Sequence, residues 1–168
     1  MALRVIALSC VVFLVSLIGF AAAMATTDEK CCQYNVSVQT ANAYGAGTGS
    51  TISLTLKSLS GDGFTIANLV DWGIMPPGHV YFQKGNLDFF GGMSNCVDVC
   101  AMTVTSSGTG SRPSWYLNYV NVTVSGPKQV DISFPVNRRL AKDKPYSLSA
   151  TVDSCSSFYP LKPALLSV

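Results

Sequence analysis

From residue 34 onward the chain alternates between apolar and polar positions. Tyr34, Val36, Val38 and Thr40 fall on one side of an extended segment, with Asn35, Ser37 and Gln39 on the other. Ile52, Leu54 and Leu56 alternate with Ser53, Thr55 and Lys57, and Val130, Ile132, Phe134 and Val136 with Asp131, Ser133 and Pro135. Tyr146, Leu148, Ala150 and Val152 alternate with Ser147, Ser149 and Thr151. A period of two predicts half-buried strands, each with one wet face. Shorter strands are predicted over 64–69, 87–90 and 101–105, and a long one over 115–124. In the long strand Tyr116 shares the face of Val120 and Val122, so at least one of Trp115 and Tyr116 belongs to the core. About eight strands separated by Gly, Ser and Pro clusters predict an all-β sandwich or barrel. Pro135, on an outward face, predicts an edge strand or a bulge. Helical periodicity is missing from every long segment; only the run Asn137 to Lys144 is predicted to form a short helical turn.

The first 25 residues stand outside this pattern. A single Arg4 leads into an uncharged apolar run, and Ala23-Met24-Ala25 supplies the small-x-small pattern of a signal-peptidase site. The expectation is a cleaved signal peptide over 1–25 and one domain over 26–168, secreted to the cell exterior or held in the endoplasmic reticulum lumen. A chain of 168 residues accommodates one such domain and not two. Losing Arg4 with the leader takes eleven Lys and Arg to ten, against nine Asp and Glu, and the formal charge from +2 to +1. Such a balance gives no electrostatic case for nucleic acid.

Secretion makes the cysteines a disulfide question. Cys10 leaves with the leader, and Cys31, Cys32, Cys96, Cys100 and Cys155 remain. Cys96 and Cys100 are close enough in sequence to staple one turn, and the Cys31-Cys32 pair before the first strand is positioned to bridge Cys155 after the last. Two N-x-S/T triplets, at Asn35 and Asn121, put both asparagines on predicted outer faces and make them candidate glycosylation sites.

Catalytic machinery is hard to assemble from this inventory. His79 is the one histidine, so any Ser-His-acid triad must run through it, and no G-x-S-x-G elbow accompanies it. The aspartates after Asp28 are scattered, and no pattern pairs them. The reading is non-catalytic, with a lipid-acting enzyme as the unfavoured alternative. A zinc site is equally unfavoured by one histidine and dispersed cysteines.

The stretch from Tyr81 to Val124 joins a glycine-punctuated aromatic turn (YFQKGNLDFFGG), a close cysteine pair and the strand entered through Trp115-Tyr116. In that order the pieces resemble the PLAT domain, the lipoxygenase-homology β-sandwich, in its secreted, single-domain, stress-associated plant form. The resemblance implies an eight-stranded antiparallel β-sandwich and a monomeric binding module for a lipid surface or a protein partner. It also implies Cys32, two residues before Tyr34, as the partner of Cys155, which leaves Cys31 as the odd thiol beside a Cys96–Cys100 bridge. Loop acids near the first hairpin and in the F-E-R-G-x-x-D turn are the implied calcium ligands. Here Gly49 stands where the family has an aspartate and Gln83 where it has a glutamate, so only Asp88 remains. Calcium affinity is therefore expected to be weak, with Asp88 a hydrogen-bonding residue, and no other cofactor is expected.

Two contact surfaces are predicted. The segment LVDWGIMPPGHVYF combines large apolar groups with turn residues. Trp72, Ile74 and Met75 are the candidate lipid contacts; the commoner role for Trp72 is to cap the core, and Ile74 and Met75 are expected to project with Pro76 and Pro77. Arg138 and Arg139 begin a basic run suited to anionic headgroups or to acidic wall polysaccharide; a cell-wall structural or carbohydrate-contacting protein is the rival reading.

Overall fold

The alternating segments pair into two antiparallel sheets of four strands each. The computed structural model describes residues 31–127 and 129–158; the predicted leader lies outside the described residues. Eight strands follow in order: β1 (Cys31–Thr40), β2 (Ile52–Lys57), β3 (Gly63–Ile66), β4 (Leu87–Asn95), β5 (Ala101–Ser106), β6 (Trp115–Ser125), β7 (Val130–Leu140) and β8 (Ser149–Asp153). A 3-10 turn spans Leu69–Trp72, and one helical turn spans Cys155–Phe158. The first sheet runs β4-β1-β6-β7 and the second β3-β2-β5-β8. This is the eight-stranded antiparallel sandwich that the alternation and the resemblance predict.

The core follows from the same periodicity. Tyr34, Val36 and Val38 of β1, with Val120 and Val122 of β6, pack into one cluster with Ile52, Leu54 and Leu56 of β2 and Val104 of β5. Each such side chain contributes about 1.5–3 kcal/mol on full burial. Tyr34 is the polar exception. Its hydroxyl donates to the Asn95 carbonyl at 2.7 Å and accepts the Val97 N–H at 3.0 Å. Burial pushes its pKa up, with the Val97 hydrogen bond opposing and the Asp98 charge adding to the rise.

In β6 the face assignment changes part-way. Trp115 and Leu117 point inward and Tyr116 does not, whereas Val120, Val122 and Val124 hold the inner face further on. The pairing explains it: Gln39 sits opposite Tyr119 but Thr40 opposite Leu117, so Asn118 is an extra residue relative to β1. One inserted residue reverses the parity of a strand. Tyr116 is thus not a core residue, while buried Trp115 donates its indole N–H to Thr40 Oγ1 at 3.0 Å. Pro135 lies where expected, in edge strand β7 beside a second register shift.

Three boundaries also move. Asn137 to Leu140 extend β7 rather than forming a helical turn, because Arg138 and Arg139 pair with Leu117 and Tyr116. β3 stops at Ile66, and Leu69 enters the 3-10 turn, whose cap Asn68 accepts the Val70 N–H. Tyr146 precedes β8, in a turn closed by its N–H on the Asp143 carbonyl.

The disulfides differ from those expected. Cys32 bonds Cys96, and Cys100 bonds Cys155; the expected Cys32–Cys155 and Cys96–Cys100 bridges are not formed. Strand pairing decides this, not closeness in sequence. Cys32 pairs with Ser94 across β1 and β4, which brings Cys96 within 4.9 Å between Cα atoms. Ala101 pairs with Asp153 across β5 and β8, which brings Cys100 to Cys155. Between Cys96 and Cys100 the chain leaves the first sheet for the second, so neighbours in sequence are tied to different layers. Cys31 is not the odd thiol either: it is disulfide-bonded, and no described cysteine is free.

Candidate apolar edge and basic end

The segment between β3 and β4 lies along the open edge of the first sheet. Gly73 bridges Phe90, and the Ile74 N–H donates to the Phe89 carbonyl at 3.1 Å. Gly92 lets Trp72 in: a Cβ at that position would sit 2.5 Å from the indole. Trp72 also stacks on Phe64, with ring centroids 6.0 Å apart, and packs against the core as expected. Ile74 lies over Gly91 on the other face and is 61% exposed. Met75 does not project. It is half-buried, and its backbone N–H donates to the Tyr81 hydroxyl, leaving the exposed Pro76-Pro77-Gly78 turn as the tip.

β4 inverts the usual alternation. Asp88 is fully buried while its neighbours Leu87 and Phe89 face solvent, Phe89 at 42% exposure. The buried carboxylate is occupied on both oxygens: Oδ2 accepts the Phe82 N–H at 2.7 Å, and Oδ1 lies 2.5 Å from His79 Nε2. Among the described residues, no serine or cysteine hydrogen-bonds the His79 ring, whose described polar partner is Asp88. Ile74, Val80, Leu87, Phe89 and Met93 are exposed apolar residues on β4 and the segment leading into it. Sequence reasoning found Ile74 alone. The signal for Leu87, Phe89 and Met93 was the phase of L-D-F-F, legible only once Asp88 is placed inside.

Arg138 and Arg139 lie on β7, the opposite edge of the same sheet. Three strand spacings, about 14 Å, separate them from β4, so the two predicted contact sets are not one site. Arg138 is exposed; Arg139 is half-buried and donates from Nη1 to Ser114 Oγ at 3.2 Å.

The residues in place of the implied calcium ligands do not fit a calcium site. A Cβ at Gly49 would stand 2.7 Å from the Ser111 carbonyl oxygen, so the backbone leaves no room for an acid there. Gln83 accepts from Arg112 Nη2 at 2.7 Å and donates to the Tyr81 carbonyl, so a guanidinium occupies its oxygen.

The two sequons meet across β1 and β6. Asn35 pairs with Thr123 and Ser37 with Asn121, on the outer face of the first sheet. Asn35 is exposed; Asn121 is half-buried, with Oδ1 out of water and without a hydrogen-bond partner.

This geometry defines a class: a disulfide-tied β-sandwich whose distinctive surfaces are an apolar edge and a basic end. The PLAT/LH2 domain profile matches residues 34–152, and the chain belongs to that family. PLAT domain-containing protein 2 of Arabidopsis thaliana is 42% identical over 134 residues, covering 76% of this chain and 73% of that protein. PLAT domain-containing protein 1 of the same plant is 36% identical over 149 residues, covering 85% and 82%. Human Lipoxygenase homology domain-containing protein 1 is 33% identical over 119 residues, covering 67% of this chain and 5% of that one. A coral 8R-lipoxygenase structure, described as calcium-activated through a C2-like domain, superposes with TM-score 0.55 at 22% identity. The match covers 72% of this chain and 16% of the lipoxygenase, and it speaks to fold alone. PLAT domains are lipid- or protein-binding modules, non-catalytic within lipoxygenases. The two disulfides are compatible with an extracellular or secreted protein.

Proposed function

We propose that this protein is a secreted, non-catalytic module that docks reversibly on a lipid surface through its β4 edge. The observation that carries the reading is the inverted alternation of β4, which spends buried space on Asp88 and shows Leu87 and Phe89 to solvent beside Ile74. Contiguous exposed apolar side chains mark interaction surfaces. At roughly 25 cal/mol per Å², such side chains supply several kcal/mol on insertion, offset by the cost of association. That supports reversible docking and not permanent anchoring. The resemblance read from the sequence extends this reading to plant responses to stress.

Co-sedimentation with mixed phosphatidylcholine–phosphatidylserine vesicles tests it. The double change Ile74→Asp and Phe89→Ser is expected to remove binding and leave thermal stability nearly unchanged, since both side chains are exposed. Vesicle binding that survives the double change would place the contact elsewhere.

A further inference from the structure

Among the described residues, charges are segregated along the strand axis. β1 runs from Cys31 to Thr40, and the loops at its Thr40 end, with the adjoining end of β7, carry Lys84, Arg112, Arg138, Arg139, Lys142 and Lys144. Asp143 is the one exposed acid described there. The opposite end carries Asp62, Asp98, Asp131 and Asp153, all exposed, and among the described residues its one cation is Lys57. None of the six cations forms an ion pair among the described residues.

The basic end is a built platform. The Thr48 N–H donates to the Phe82 carbonyl and the Gly49 N–H to the Ser111 carbonyl, so three loops are bonded to one another, and the Ser106 N–H at the end of β5 donates to the Leu148 carbonyl of the fourth. Thr48 Oγ1 donates to the Arg112 carbonyl and Ser50 Oγ to that of Thr109. Arg112 and Arg139 are further held by Gln83 and Ser114. Tyr44, 96% exposed, and the exposed Tyr146 stand in the same loops. Tyrosine favours the membrane–water interface. Lys84 adjoins the start of β4, where the apolar edge begins.

We propose that this end is a headgroup-selecting face, which orients the protein on anionic lipid with the Thr40 end and the β4 edge toward the membrane. The proposal rests on the lipid-docking reading and adds the lipid class. Unpaired cations near an anionic leaflet each tighten attachment about fivefold, an effect that falls off within a Debye length. Four of them therefore suffice for well over a tenfold preference.

The test compares co-sedimentation with pure phosphatidylcholine vesicles and with equal mixtures of phosphatidylcholine and phosphatidylserine. The expected result is at least tenfold tighter binding to the mixture, lost at about 0.5 M salt, where the Debye length falls below about 5 Å. Lys84→Ser, Arg138→Ser, Lys142→Ser and Lys144→Ser together should lower binding to the mixture to the neutral-vesicle level. All four side chains are exposed and make no hydrogen bond among the described residues. Should that variant fail to fold, the salt dependence of the unaltered protein carries the test. Asp62→Asn with Asp98→Asn raises net charge at the far end and should leave the preference unchanged. Equal binding to both vesicle types, a preference retained by the folded quadruple variant or resistant to salt, or one shifted equally by the far-end changes overturns the proposal. Polygalacturonate binding that competes away the vesicles' advantage reassigns the face to polysaccharide and also overturns it. Absence of binding to either vesicle sinks the docking reading itself, a result distinct from docking without preference.

Discussion

The buried phenol of Tyr34 predicts a fold that loses stability in alkali. Tyr34 is fully enclosed, with its hydroxyl bonded to Asn95 and Val97, and burial is the main cause of its raised pKa. A raised folded-state pKa means that the folded form holds its proton where the unfolded chain, titrating near 10, has lost it. The resulting stability is fully present below about pH 10 and is lost as pH rises from there through the folded value. Thermal melts between pH 8 and 11 should show the midpoint falling at the alkaline end. Tyr34→Phe should reduce that fall and cost about 1–3 kcal/mol at neutral pH, because the Val97 N–H loses its acceptor. Asp88→Ala should cost at least as much, since it strips the acceptor from the Phe82 N–H and unties His79 in one step.

The connections between strands carry the next expectation. Non-reducing peptide mapping should recover Cys32 joined to Cys96 and Cys100 joined to Cys155. The chain-entropy model assigns each bridge about 4 kcal/mol, so replacing either pair by alanine should lower stability by roughly 2–5 kcal/mol. A Cys96–Cys100 peptide in folded material would contradict the strand order described above. Strand existence was legible in the sequence wherever alternation was unbroken, as in β1 and β2. Which face is buried was not legible where an inserted residue reversed the phase, as at Asn118, or where the polar member of a pair faced inward, as at Asp88. Cysteine pairing was not legible for a related reason. It depends on which strands are neighbours across the sheet, and spacing along the chain does not encode that. Ile74 was found because its turn residues announced an exposed loop, whereas Met75 was misassigned because Tyr81, six residues on, holds its backbone down.

At the scale of the whole molecule, the loops at the Thr40 end carry a lattice of hydrogen bonds and cations where the family resemblance implies acids. Gly49 has no room for a carboxylate, and Gln83 is engaged by Arg112. Titration calorimetry on the folded protein should accordingly find no calcium site tighter than about the millimolar range of loose extracellular modules. A micromolar site would require ligands from a different part of the surface. The two rings closed among the described residues have a further consequence. One closes between residues 32 and 96 and the other between 100 and 155, so neither encloses any part of the other. During synthesis from the N-terminus, the partners of the first ring are both available before the last cysteine of the second has been made. Oxidation of these two pairs can thus proceed in the order of translation, the first ring sealed before the second and neither threaded through the other.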